Sequence, residues 1–276
     1  MSLRFIPIQP HPLLKGYIAK MWLFESSGKI AADDLKLVVP NGNLKLTLSF
    51  QNGIVALADT HHFSSGEHDI TLTGMMDVPV ILDVQKDTFT QTLGIEFSPH
   101  AAYRFFRLQL SGLQNSIVSL QDILGIEGKE LVTRIWNLAS IQEKIIALQH
   151  YLIDQLTKGT RDEIFEYCVN HITASLGAIP ISLLEKKTGY SSRWINMKFR
   201  EKLGISAKSF GALTRFSHCY QLMVDKNGHA GFYENDLDDL YYDKSHFLKD
   251  FKRFTGFAPA ILEAHNNEFG RSYYQD

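Results

Sequence analysis

The stretch "DKSHFLKDFKRFTGFAPAIL", residues 243–262, sets Lys244, His246, Lys249, Lys252 and Arg253 around two Phe residues four apart, Phe247 and Phe251. The spacing predicts a helix capped at Asp243, buried on its Phe side and closed by Gly256 in the left-handed conformation that glycine adopts without strain. Alone, its basic face reads equally well as a solvated surface or as one that binds anions. A second copy decides between them. "SSRWINMKFREKLGISAKSF", residues 191–210, aligns with the first stretch without a gap at an offset of 52. Ile195 pairs with Phe247, Phe199 with Phe251, Gly204 with Gly256 and Phe210 with Leu262. Ser191 or Ser192 takes the capping role of Asp243, and apolar Ile205 and Phe257 follow the two glycines. Ser206 then caps the next helix in one copy, and Ala258-Pro259 opens it in the other, proline suiting the first helical position.

Working outward, "ISLLEKKTGYSS" (181–192) reads as a short apolar-patterned helix closing at Gly189, with a tight turn into a helix over 192–202. Two short helices joined by a glycine-containing turn are a helix-turn-helix signature, whose second helix enters the major groove. Such units are expected at about 181–203 and 234–255, bridged by a long helix over about 206–225. With Ile195 and Phe199 buried, the first unit offers Ser192, Arg193, Asn196, Met197 and Arg200 to DNA. Arginine suits guanine edges and asparagine suits adenine. Trp194 and Met197 suit packing as well as they suit a thymine methyl. The second unit offers Lys244, Ser245, His246, Lys249 and Lys252, whose cations would neutralise phosphates and make binding salt-dependent. Two such helices held on one face roughly 34 Å apart would enter successive major grooves.

On these residues, the region 162–265 resembles the DNA-binding domain of the AraC/XylS family of transcription regulators. "GYSSRWINMKFREKLGIS" is similar to the family's first motif, and "YYDKSHFLKDFKRFTGFAP" to the signature around its second recognition helix. "VVPNGNLKLTLSF", "TGMMDVPV" and "LGIEFSPHAAYRFF" resemble the uncharacterised β-rich domain found in one branch of that family. The resemblance implies a regulator of transcription with double-stranded DNA as its partner. It leaves room for a small-molecule effector, RNA polymerase and a second copy of the chain, and it implies no cofactor and no catalysis. One departure stands out. Leu240 occupies the place of the family's glycine, and Glu234, Asp236, Asp238 and Asp239 crowd the preceding stretch "GFYENDLDDLYYD" (231–243).

The rest of the chain fits a two-domain reading. Between Leu35 and Phe97, "LKLVVP", "LKLTLSF", "GIVALAD", "DITLTGMM", "PVILDV" and "QTLGIEF" are short β-rich runs punctuated by turn residues, as in a β-sandwich or barrel. From Ser98 the apolar spacing becomes helical. The polar stretch "TKGTRDE" (157–163) reads as a linker, with Thr160 or Asp162 able to cap the next helix. The expected fold is therefore α+β. Residues 1–156 form a β-rich sandwich or barrel with a helical tail, serving an effector or dimerisation role. Residues 160–276 form an all-α domain of two helix-turn-helix units joined by a long helix.

Net charge is −2 over 276 residues, yet residues 181–225 carry 8 Lys/Arg against 3 Asp/Glu, a local basic patch. No apolar run reaches membrane-span length and no signal-peptide pattern opens the chain, so a cytoplasmic location without a membrane partner is expected. Cys168 and Cys219 read as reduced core thiols. His61, His62, Glu67 and His68 in "HHFSSGEH" offer metal-ligand atoms, but at no recognised spacing and around an expected hairpin tip at Ser64–Gly66, so no metal site is assigned. His100 and Asp83 have no partner legible in sequence. Two other readings fit parts of the chain. One is a degenerate helix-turn-helix protein serving as an interaction module, which the acidic 234–239 stretch suggests. The other is a metal-dependent β-barrel enzyme, which rests on the His/Glu cluster alone.

Overall fold

The computed structural model of the protein describes residues 3–225 and 240–274. The fold is α+β, with ten strands followed by a helical domain among the described residues. The strands are β1 (Leu3–Pro7), β2 (Ile18–Ser26), β3 (Leu37–Val38), β4 (Leu44–Gln51), β5 (Ile54–Ala58), β6 (His61–Ser64), β7 (Ile70–Thr73), β8 (Val80–Val84), β9 (Thr90–Phe97) and β10 (Ile117–Ser119). All pairings are antiparallel, in a six-stranded sheet ordered β1-β2-β9-β4-β7-β10 and a four-stranded sheet ordered β3-β8-β5-β6. Strands β1 and β2 lie upstream of Leu35, where the sequence shows no clean alternation. The hairpin tip expected at Ser64–Gly66 lies instead at Asp59–Thr60, where Asp59 takes φ 53°, and Ser64–Gly66 carries the chain from one sheet to the other.

Alternation gives the six-stranded sheet two unlike faces. Leu46 of β4 sits opposite Ile95 of β9 and Leu72 of β7, and all three are fully buried. Helices α1 (Ala102–Phe106), α2 (Leu120–Leu124), α3 (Ile126–Trp136) and α4 (Ile141–Lys158) belong to this side. Phe105 and Phe106 of α1 pack on Phe97 at 5.0 and 5.4 Å, and Trp136 of α3 packs on Phe50. The other face carries Lys45, Thr47, Thr71, Thr73, Thr92 and Gly94, and it looks toward the four-stranded sheet across a cavity. Gly94 is needed there. A Cβ at this position would stand 2.2 Å from Cζ2 of Trp22, which lies against the sheet opposite it. Gly94→Ala is therefore expected to displace the indole and cost about 1–3 kcal/mol, as other overpacked sites do. Denaturant unfolding checks this.

The helical domain holds α5 (Glu163–Ala174), α6 (Ile181–Thr188), α7 (Ser192–Leu203), α8 (Ala207–Asp225), α9 (Lys244–Thr255), α10 (Pro259–Glu263) and α11 (Glu268–Tyr274). Residues 159–162 connect α4 to α5, and the Asp162 carboxylate accepts the Phe165 N–H to cap α5. Helix α8 serves both sequence copies through two rings six residues apart. Phe210 meets Phe199 of α7 at 5.8 Å, and Phe216 meets Phe254 and Phe251 of α9 at 4.8 and 5.9 Å. Cys168 and Cys219 are both buried and form no disulfide, and burial pushes the Cys168 thiol up to about 11.

Residues 266–274, contiguous in sequence with the helical domain, pack on the β-domain. Phe269 of α11 meets Phe5 and Phe24, and Tyr273 meets Trp22 at 5.4 Å. Asn267 accepts the Leu37 N–H and donates to the Leu37 carbonyl, and the Phe269 N–H donates to Asp34. The Tyr274 hydroxyl donates to the Val39 carbonyl. Tyr273 donates its hydroxyl to Glu96, a buried carboxylate that also accepts from Asn41 and Asn43. Burial holds the Tyr273 phenol well above its ordinary value, so it stays a neutral donor.

Candidate nucleic-acid interface

The two sequence copies fold alike at the cap, the buried pair and the closing glycine. Ser191 and Asp243 cap α7 and α9 by accepting the N–H three residues on, from Trp194 and His246. Gly204 and Gly256 close the helices at φ 88° and 80°. Ile195, Phe199, Phe247 and Phe251 are all buried. At the start of the first unit, Gly189 closes α6 at φ 75°, and Glu185 accepts the Ser192 N–H across the turn. That bond holds the half-buried Glu185 carboxyl below its ordinary value. The stretch 231–239, expected to open the second unit, lies outside the described residues.

With those faces buried, each helix leaves one exposed stripe at i, i+4 and i+7. On α7 it is Arg193, Met197 and Arg200, and on α9 it is Ser245, Lys249 and Lys252. The stripes correspond residue for residue at the offset of 52. Among the described residues, Arg193, Arg200, Lys249 and Lys252 have no acidic side chain within ion-pair distance, so all four cations are free for an external anion. Lys244 and His246 are exposed at the first turn of α9. His246 leans on Tyr241 and stands 3.9 Å from Asp250.

One expected contact is placed differently, and Trp194 takes the packing role of the two open to it. Asn196 turns toward its own domain, its Oδ1 accepting the Ala207 N–H at the start of α8 and its Nδ2 donating to the Ser192 carbonyl. Trp194 stacks on Tyr190 at 4.1 Å, with the Lys198 ammonium over its ring. Asn196→Ala is thus expected to cost about 0.5–2 kcal/mol through loss of a helix cap. Asn196→Asp keeps the acceptor and should retain most of the stability, as thermal unfolding of the three proteins would show.

Sequence reading missed residues that come from the β-domain. Gln109 and Ser111, exposed around the turn Leu110–Gly112, form a groove with Arg193, Met197 and Arg200. Their neighbour Leu110 holds the end of α7, its carbonyl 2.8 Å from where a Cβ on Gly204 would lie. The loop 75–79 does the same for α9, with Pro79 beside Gly256 and Asp77 bonded to Arg253 at 2.8 Å. Asn115 ties the two loops together by exchanging hydrogen bonds with Asp77. One platform of the β-domain therefore seats both helices. Further links join Tyr103 of α1 to Glu166 and Asp162, with Lys202 of α7 over the Tyr103 ring. His100 lies nearby, its pKa lowered by burial. Asp83 pairs with Lys36 at 2.6 Å.

The His/Glu stretch does not gather. His61 and His62 lie at the start of β6, and His68 packs on Trp136 at 4.7 Å. Among the described residues no group of three or more metal-ligating side chains comes together, and no helix is long and apolar enough to cross a membrane.

A family model described as a domain of unknown function (DUF6597) matches residues 7–119, the strand-rich part of the chain. No curated protein matches the sequence. Among solved structures, unsaturated fatty acid bound wild-type ToxT from Vibrio cholerae strain SCE256 is similar, with 12% identity and a TM-score of 0.47, over 89% of this chain and 96% of that one. ToxT from Vibrio cholerae O395 bound to (E)-4-(8-methylnaphthalen-1-yl)but-3-enoic acid is similar at 12% identity and TM-score 0.47, over 87% and 98%. The cupin domain of Schizosaccharomyces pombe Cnp3 is similar over 36% of this chain and 69% of its own, at 8% identity and TM-score 0.27.

Proposed function

We propose that the protein is a sequence-specific DNA-binding transcription regulator of the AraC/XylS type, acting by binding and not by catalysis. Helices α7 and α9 are its two recognition helices. Arg193, Met197 and Arg200 read base edges and phosphates in one major groove, with Ser192 and the exposed Lys186 and Lys187 beside the backbone. Lys244, Ser245, His246, Lys249 and Lys252 serve the next groove, mainly by neutralising phosphates. The observation that carries this reading is the matched pair of exposed stripes, with unpartnered cations, on two helices with the same caps and the same buried positions. Arg200 and Lys252 occupy corresponding positions, and a solvated face would have no reason to repeat a basic stripe over the same caps and buried positions.

The β-domain takes the sensing role. It seats both helices on one platform, so a change there alters their relative placement and with it the fit to two grooves. A small molecule is its signal, RNA polymerase and a second copy of the chain are its protein partners, and the cytoplasm is where it works. Selection from a pool of random duplexes tests the DNA reading. It is expected to enrich sites with two half-sites about one helical turn, 10–10.5 base pairs, apart. Failure to retard any genomic fragment at low salt would sink the regulator reading.

A further inference from the structure

The cavity between the two sheets has a volume of about 200 Å³, and its walls come from three parts of the chain. The six-stranded sheet supplies Thr47, Thr71, Thr73 and Thr92, the four-stranded sheet supplies apolar side chains such as Phe63 and Leu82, and α11 supplies Phe269 and Tyr273. Protein interiors hold few voids larger than a water molecule, and an engineered apolar cavity of about 150 Å³ takes up benzene. This one is also not uniformly apolar. The Thr92 hydroxyl is buried and has no hydrogen-bond partner, a cost that native structures rarely carry without a reason. Nor does the cavity offer a spare cation. The Lys45 ammonium lies 3.6 Å from Glu96 and over the Tyr273 ring, and Glu96 is satisfied by Asn41, Asn43 and Tyr273. An anionic guest would lose its water without gaining a counter-charge, and Asp69, the other charged group in the lining, accepts the Gly66 N–H.

We propose that this cavity binds a compact, uncharged, largely apolar molecule carrying one hydroxyl or carbonyl group, with the Thr92 hydroxyl as its hydrogen-bond partner and α11 as its movable wall. The proposal rests on the regulator reading only for its purpose. Met76, Val80 and Ile117 line the cavity and flank the two loops that seat α7 and α9. The wall opposite, α11, continues from α9 and α10 in the chain. A guest therefore touches two of the places where the helical domain meets the β-domain, and filling the cavity tightens α11 against Trp22 and Phe24.

Three probes of one shape test this by titration of the full chain, followed through the Trp22 and Tyr273 region by fluorescence. 1-Naphthol is expected to bind at least about 10-fold more tightly than 1-naphthoate, which brings an unpaired charge. Thr92→Val should weaken 1-naphthol by about 10-fold and leave naphthalene unchanged, since it deletes one buried hydrogen bond at nearly constant shape. Binding of 1-naphthol should also slow amide hydrogen exchange across residues 268–274. Failure of all three probes to bind would mark the cavity as water-filled and overturn the proposal. So would preference for 1-naphthoate, or a Thr92→Val change that moves naphthol and naphthalene equally. Tyr273→Phe, which keeps the ring, should retain naphthalene binding, and its loss would also count against this wall. No DNA enters the titration, so failure here is separate from failure of the regulator reading, which the duplex selection judges alone.

Discussion

Arg193→Ala/Arg200→Ala is expected to weaken binding to a specific duplex by roughly two orders of magnitude or more, because each bidentate arginine–guanine contact is worth about 1–3 kcal/mol. Both side chains are exposed on one stripe of α7, lack acidic partners among the described residues and carry no fold-forming contact. Thermal stability should therefore stay within about 0.5 kcal/mol of the parent protein. Removing two cations from the stripe of α9, Lys249→Ala/Lys252→Ala, takes away phosphate contacts and should weaken specific and non-specific duplexes alike. Comparing the two double variants on a selected site and on random DNA separates base reading from charge neutralisation. Equal, small losses from both would mean that α7 does not read sequence.

The largest effect on stability is expected from Phe216→Ala. Phe216 is fully buried on α8 against Phe251 and Phe254 of α9. Truncating a buried Phe costs about 3–5 kcal/mol through lost transfer energy and the cavity left behind, against a total stability of about 5–15 kcal/mol for a domain. The helical circular-dichroism transition in denaturant should shift by that amount. Lys249 and Lys252 should lose their effect on DNA affinity, since α9 no longer has a fixed seat. A shift below about 1 kcal/mol would show that α9 is not held through Phe216.

The helical repeat was legible because each copy states its boundaries locally. Capping residue, buried positions at i and i+4 and closing glycine all lie within fourteen residues, and the offset of 52 repeats them. The inner face of the β-domain was not legible. Alternation of Leu44, Leu46 and Leu48 with Lys45, Thr47 and Ser49 reads as one buried and one wet face, whereas the second face meets another sheet across a cavity. Strand β2 escaped notice because both of its faces are covered, which erases alternation. The docking of α11 joins residues some 230 apart, as between Leu37 and Asn267, and no local pattern announces such a contact. Asn196 shows the limit on chemistry. Its amide suits adenine, but the start of α8 lies closer and takes it first. Gln109 and Ser111 carry no motif at all, and only the fold brings them beside α7.

The salt dependence of binding to random duplex DNA tests the central claim most directly, for the intact protein and for Arg193→Ala/Arg200→Ala. A protein that neutralises several phosphates loses affinity steeply as salt rises, with a slope near 0.9 per phosphate contact in logarithmic terms. The account predicts measurable binding at about 50 mM salt, a steep slope for the intact chain and a slope lower by about one for each arginine lost. No binding at about 50 mM salt, or a slope that the double substitution leaves unchanged, would contradict it.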